Sequence, residues 1–361
     1  MCFAGLAGMY QFGHLRSLPL FYNQKPKDLF CDKNIEAISG KFVQWNQTLD
    51  LAACQTYSKS DLTMNISTLG NALECPIEGI SEAKYITAPV DLQFICEDNY
   101  KSSLFLSIAL FGCTVGGFFG GAINDTYGRI RSMQVSSISM IVSLIATALS
   151  GWYKLGLIFL LGQFLMMLSS EIAFGAFISY AMEVLGPSGR SWVGVMANVT
   201  ANTGMMVVTL FSFYITDWKL NVLAAAAVVL IGFLMQLLCP ESPRWVHQKL
   251  PKNESEPKVI NFIKSVKPDV DSLVLYQSIS DSQSKSANAA FISPAVLFSK
   301  PFLVKYSLAT LLGGFTFYFS LWICIFGSGS LSGSIYMNNF IPSLGRRLVL
   351  ADQIAEFLSN F

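Results

Sequence analysis

Four stretches of the chain carry no Asp, Glu, Lys or Arg: Ser102 to Asn124, Ser132 to Tyr153, Ser191 to Thr216 and Leu220 to Pro240. A fifth, Leu155 to Met182, carries one ionisable residue, Glu171. Each is near or above the roughly 20 residues that an α-helix needs to cross a bilayer. The pattern predicts five membrane-spanning helices in succession. Met1 to Gly13 is also apolar, but at His14 and Arg16 it has reached only about half a span. It reads as a helix without its beginning rather than a signal peptide, since no basic n-region or small-residue cleavage site accompanies it. Tyr306 to Gly345 is uncharged but too long for one span. Its Gly-Ser stretch, Gly327 to Gly333, should divide it into one helix near Ser307 to Phe326 and a short remnant from Ser334 onward. The expected organisation is a partial first helix at 1–22, a polar loop at 23–101, helices two to six at 102–240, a charged loop at 241–305, and helix seven with its remnant at 306–361. The fold class is an all-α polytopic bundle.

Composition sharpens this picture. Hydrophobic residues make up 52% of the 361 positions and charged residues 13%, about half the charged share of an ordinary soluble domain. Mean hydropathy is +0.48. The net charge is +1, so no global basic field exists to attract nucleic acid. The two histidines, His14 and His247, lie outside the long apolar runs. No metal site, catalytic triad or cofactor motif emerges, and an enzyme is not expected.

Charge and cysteine placement give a topology. Arg129 and Arg131 follow the first complete span, Arg190 follows the third, and 241–305 is rich in lysine, whereas the opposite connections hold single Lys154 and Lys219. By the positive-inside rule Arg129, Arg190 and the 241–305 segment are cytoplasmic. The polar loop holds Cys31, Cys54, Cys75 and Cys96 together with sequons at Asn46 and Asn65. Paired cysteines and glycosylation sites belong outside the cytoplasm, where the four thiols should form two disulfides of open connectivity. Cys113, Cys239 and Cys324, in or at the ends of spans, should stay reduced. Both arguments give the same orientation.

Three motifs stand at helix ends. Gly121-Ala-Ile-Asn-Asp125-Thr-Tyr-Gly128-Arg129-Ile-Arg131 has the form GxxxDxxGRxR, Glu183-Val-Leu-Gly-Pro-Ser-Gly-Arg190 closes the fourth helix, and Pro240-Glu-Ser-Pro-Arg-Trp245 closes the sixth. In this order they resemble the major facilitator superfamily. The sugar porters are similar at PESPR but have a short first loop. The long Cys-bearing loop, Trp45-Asn-Gln-Thr48 within it, and Leu297-Phe-Ser-Lys-Pro301 resemble the organic cation/organic anion transporter branch instead. Thr126 stands where that family usually has a basic residue. Such a family has twelve spans in two halves, so the resemblance implies a chain with most of helix one, helices two to seven and a remnant. It also implies alternating-access transport of a small organic ion, cation-like or carnitine-like, by a protein of the plasma membrane. Other readings are a truncated half that binds a full-length relative and regulates it, and a sugar-porter-like transporter.

Charged residues fixed where helices meet at the cytoplasmic surface can pair in one state and separate when bundles rock. The candidate gate is Asp125, Gly128, Arg129, Glu183, Arg190, Glu241 and Arg244. The alternative is ordinary interfacial charge. Gly112, Gly116 and Gly120 should let a neighbouring helix approach. For substrate contact the candidates are Glu171, Phe174, Asn198, Asn202, Tyr318 and Trp322. An acid at mid-membrane is costly unless it faces a partner or a watery cavity, and aromatic rings suit an organic cation. Glu171 is either substrate-facing or a structural acid bonded to a neighbouring helix. Asn198 and Asn202 either bridge helices or touch substrate.

Overall fold

The structure is a computed structural model and describes residues 28–30, 41–44, 56–58, 87–92, 99–185, 187–266, 276, 301–327 and 336–345. In the polar loop, three short strands, β1 (Asp28–Phe30), β2 (Lys41–Gln44) and β3 (Thr56–Ser58), form an antiparallel sheet in the order β1-β2-β3. Asp28 pairs with Gln44, and Lys41 with Ser58. Strands of three or four residues leave too short an alternation to be read from sequence. Cys31, Cys54, Cys75, Cys96, Asn46 and Asn65 lie outside the described residues.

A short helix, α1 (Ala88–Asp91), precedes the bundle. The bundle is built from α2 (Asn99–Tyr127), α3 (Arg129–Trp152), α4 (Gly156–Val184), α5 (Pro187–Tyr214) and α6 (Trp218–Leu237). Five helices are long and apolar enough to span a membrane among the described residues. They coincide with the five uncharged or nearly uncharged runs, because a buried or lipid-facing helix interior excludes charge. Two short helices follow, α7 (Pro243–Lys249) and α8 (Lys252–Val266). α9 (Pro301–Gly327) covers the expected seventh helix and begins earlier than the uncharged run. The remnant is helical at 336–345. It lies against α5, where the Asn339 amide donates to Thr209 Oγ1 at 2.7 Å and the Tyr336 and Phe213 rings meet edge to face.

Packing follows small and polar residues rather than bulk alone. α2 lies against α4 so closely that a Cβ at Gly112 or Gly116 would overlap the backbone carbonyl oxygens of Phe164 and Leu168. Without a solvent-driven hydrophobic effect between helices, such close approach supplies the dispersion contacts that hold spans together. α3 sits between α4 and α6 and turns a seam of buried hydroxyls inward. Ser137 donates to the Gln236 side-chain oxygen at 3.0 Å and Ser169 to Ser139 Oγ at 2.8 Å. The main apolar core joins Phe105, Met140, Leu144, Phe159, Met166, Trp218, Val222 and Val229. A second cluster, with Ile130, Met133, Phe177 and Tyr180, underlies the charged end described next.

Candidate functional site: the Arg129 cluster

α2 and α3 are separated by one residue, Gly128, with φ 105°. That backbone conformation favours glycine, and a Cβ there would stand 2.6 Å from Glu241 Oε2. The abrupt turn starts α3 with Arg129 and leaves its first N–H groups without helical acceptors. Glu241 supplies them. Its Oε1 accepts from the backbone N–H groups of Arg129 and Ile130 at 2.9 and 3.0 Å, and its Oε2 from Ile130 and Arg131 at 3.2 and 3.4 Å. A carboxylate at a helix N-terminus also meets the positive end of the helix dipole.

The Arg129 guanidinium points the other way, into the bundle. Nη2 lies 2.8 Å from both Glu183 Oε1 and Asp125 Oδ1, and Nη1 donates to the Asn124 carbonyl at 3.2 Å. The Arg129 and Glu183 side chains are 9% and 10% exposed, whereas Asp125 is 73% exposed. The Arg129–Glu183 pair is therefore the strong one, and Asp125 adds a solvent-screened contact.

The PESPRW segment completes the cluster. Ser242 caps α7 with Pro243 at the first helical position, an arrangement that suits both residues. The same fully buried Ser242 hydroxyl donates to Glu183 Oε2. Trp245 Nε1 donates to the Asp125 carbonyl at 3.0 Å, and the Tyr180 hydroxyl to the Pro240 carbonyl at 3.1 Å. The α2–α3 turn, the end of α4 and the α6–α7 connection are thus tied by one network of charge-assisted and neutral hydrogen bonds.

Of the expected gate residues, the structure brings Asp125, Gly128, Arg129, Glu183 and Glu241 together. Glu241 bonds backbone amides rather than a guanidinium, because the turn at Gly128 presents those amides first. Arg244 is exposed on α7. Arg190 lies in the first turn of α5, but its side chain is outside the described residues. Ser242, Trp245 and Tyr180 were not singled out as site residues. The first has a readable signal, a Ser-Pro pair opening a helix.

Among the described residues, the expected substrate residues contact different neighbours. Glu171 is half-buried and accepts from the Cys113 thiol of α2 at 3.0 Å. Phe174 packs on the Ile130 and Tyr180 cluster. The Asn202 amide donates to the Asn198 carbonyl of its own helix at 2.8 Å. Cys113 and Cys239 are not joined in disulfides. The side chains of Tyr318, Trp322 and Cys324 lie outside the described residues.

This bundle of apolar helices with a charged network at one end is that of an integral membrane protein. The chain belongs to the family described as "Sugar (and other) transporter", a major facilitator family whose pattern matches residues 37–315. It is 24% identical over 311 residues to solute carrier family 22 member 1 of Oryctolagus cuniculus, covering 84% of this chain and 53% of that protein. It is 27% identical over 167 residues to human organic cation/carnitine transporter 2, covering 44% and 28% of the two chains. Among solved structures it is similar to the proton:xylose symporter XylE bound to 6-bromo-6-deoxy-D-glucose, with TM-score 0.65, 13% identity, and coverage of 98% of this chain and 67% of that one. These relatives are transporters, not enzymes. The chain spans about half the length of the rabbit relative.

Proposed function

We propose that this chain forms the first bundle of a plasma-membrane transporter that moves a small organic ion, cation-like or carnitine-like, by alternating access. The Arg129 cluster is its cytoplasmic brace. The observation that carries this reading is the network just described: Glu241 caps α3 while Arg129 reaches across to Glu183. A brace of this kind keeps α2, α3, α4 and α7 together as one body, and a rigid bundle is what rocking against a second bundle requires. Similarity to a protein named organic cation/carnitine transporter 2 supports the substrate class. Glu171, with Phe174 on the same helix face, is the proposed site of cation contact.

The test is uptake of a quaternary ammonium ion into vesicles holding the purified chain, with and without Arg129→Ala. Saturable uptake that Arg129→Ala abolishes supports the reading. A chain without uptake, alone or beside a separately expressed second bundle, refutes it.

A second reading is a half that binds a full-length relative and lowers its activity. It draws on the apolar side chains that α9 leaves exposed, among them Phe302, Leu311 and Phe315. Reduced uptake by the relative on co-expression, with the two chains purifying together, would support it.

A further inference from the structure

At the end of the bundle remote from Arg129, a second group of charges lies outside the site described above. Ala88 and Leu92, at α1, are buried in the same core as Phe105 of α2, Phe159 of α4 and Trp218 of α6. Asp91 turns one oxygen, Oδ2, to two donors of α6: Lys219 Nζ at 2.6 Å and Trp218 Nε1 at 3.0 Å. Lys219 Nζ also lies 3.7 Å from Asp217 Oδ1, and that carboxylate caps α6 by accepting from the Lys219 N–H at 2.9 Å. The Trp218 ring meets Phe159 edge to face at 5.6 Å and rests against Gly151 of α3. Phe159 meets Phe105 in the same manner at 5.1 Å.

Two physical consequences follow. The Lys219 and Asp91 side chains are only 11% and 19% exposed, so neutralising one strands the other in a poorly solvated place, unlike a surface pair. Moreover, Asp91 bonds α6 directly, and Ala88 and Leu92 share a core with residues of α2, α3, α4 and α6 of one bundle. A contact joining positions 128 apart holds the end of the polar loop against that bundle.

We propose that Asp91 is a clamp that fastens the end of the polar loop into the first bundle. α1 then acts as a wedge that sets the spacing of α2, α4 and α6 at this end. Pinned by Asp91–Lys219 at one end and by Arg129–Glu183 at the other, the bundle moves as a single body. Its movement rests on the transporter reading; the clamp does not, and the test below reads the clamp alone.

The experiment compares the native chain with Asp91→Asn, Lys219→Met, Asp91→Glu and the exchanged pair Asp91→Lys/Lys219→Asp in cell membranes. One readout is cleavage by trypsin added on the loop side, where Lys59 and Lys84 are available targets. The other is alkylation of Cys113, which packs against the same core, mapped by mass spectrometry. Each neutral variant should raise both rates about tenfold, because both report local opening. Asp91→Glu should stay near native, and the exchanged pair should recover at least half of the logarithmic loss. Native rates in Asp91→Asn, or an exchanged pair as open as the neutral variants, would overturn the clamp. Should a neutral variant fail to accumulate, the exchanged pair decides: native-like protection supports the clamp, and failure to accumulate overturns it. None of these readouts depends on transport, so loss of the transporter reading would leave them standing.

Discussion

Glu241 accepts a hydrogen bond from the backbone N–H of Arg129 at 2.9 Å, although 112 positions separate them. The side chain of that same Arg129 bonds a different acid, Glu183, at 2.8 Å. One residue therefore joins two carboxylates through different groups, its amide and its guanidinium. The two bonds can be broken separately, and their losses differ in kind.

Removing Glu241 leaves the first turn of α3 uncapped. Glu241→Ala should cost about 1–2 kcal/mol, the range for a lost helix cap plus its dipole interaction. Glu241→Gln keeps one acceptor oxygen and should cost roughly half of that. Thermal unfolding midpoints of the detergent-solubilised protein measure both. Equal midpoints for the native protein and Glu241→Ala would show that the cap carries no stability.

Arg129 and Glu183 are both nine-tenths buried, so truncating Arg129 leaves Glu183 without its cation, and truncating Glu183 leaves Arg129 only the exposed Asp125. Arg129→Ala or Glu183→Ala should each destabilise by about 3–5 kcal/mol, and the double variant should cost clearly less than their sum. Arg129→Lys should recover only part of the loss. A lysine cannot serve Glu183, Asp125 and the Asn124 carbonyl with a planar fork. Additive losses in the double-mutant cycle would contradict direct pairing.

Much of this was legible in the sequence. The five spans follow from uncharged runs, and the gathering of Asp125, Arg129, Glu183 and Glu241 follows from motifs placed at helix ends. The donors that Glu241 serves were not legible, because backbone amides leave no mark in a sequence and the turn that exposes them depends on the φ of Gly128. Asp91, Trp218 and Lys219 were also missed as a group. Each alone reads as an interfacial residue, and no local spacing connects position 91 to 219. The Gly112 and Gly116 face was readable as a packing face, whereas its partner, the α4 backbone at Phe164 and Leu168, required the fold.

Gly128 offers a sharp contrast with a glycine that has room. Gly128→Ala forces a side chain into a positive-φ position and against Glu241, and should cost about 1–3 kcal/mol. A Cβ at Gly117, inside α2, meets no atom within 4 Å, so Gly117→Ala should be neutral or slightly stabilising through helix propensity. Yield of monodisperse protein and melting midpoint, compared side by side, check the pair. Similar behaviour of the two variants would mean that the turn tolerates a Cβ.

Glu171 is the last position to test, and its two roles give opposite results. It accepts from the Cys113 thiol, a weak donor, at 3.0 Å. If Glu171 contacts the cation, Glu171→Gln keeps the shape, removes the charge and should weaken apparent affinity for a quaternary ammonium ion by about tenfold, which is roughly 1.4 kcal/mol. Stability should barely change, because in that role the charge serves the substrate and not the helix contact. If Glu171 is structural, affinity should hold while the melting midpoint falls, and Cys113→Ala should lower it in the same way. Measuring uptake affinity and melting together in Glu171→Gln and Cys113→Ala therefore separates the roles. A loss of affinity in Glu171→Gln with both midpoints unchanged assigns the carboxylate to substrate, and a shared fall in midpoint at native affinity assigns it to the α2–α4 contact.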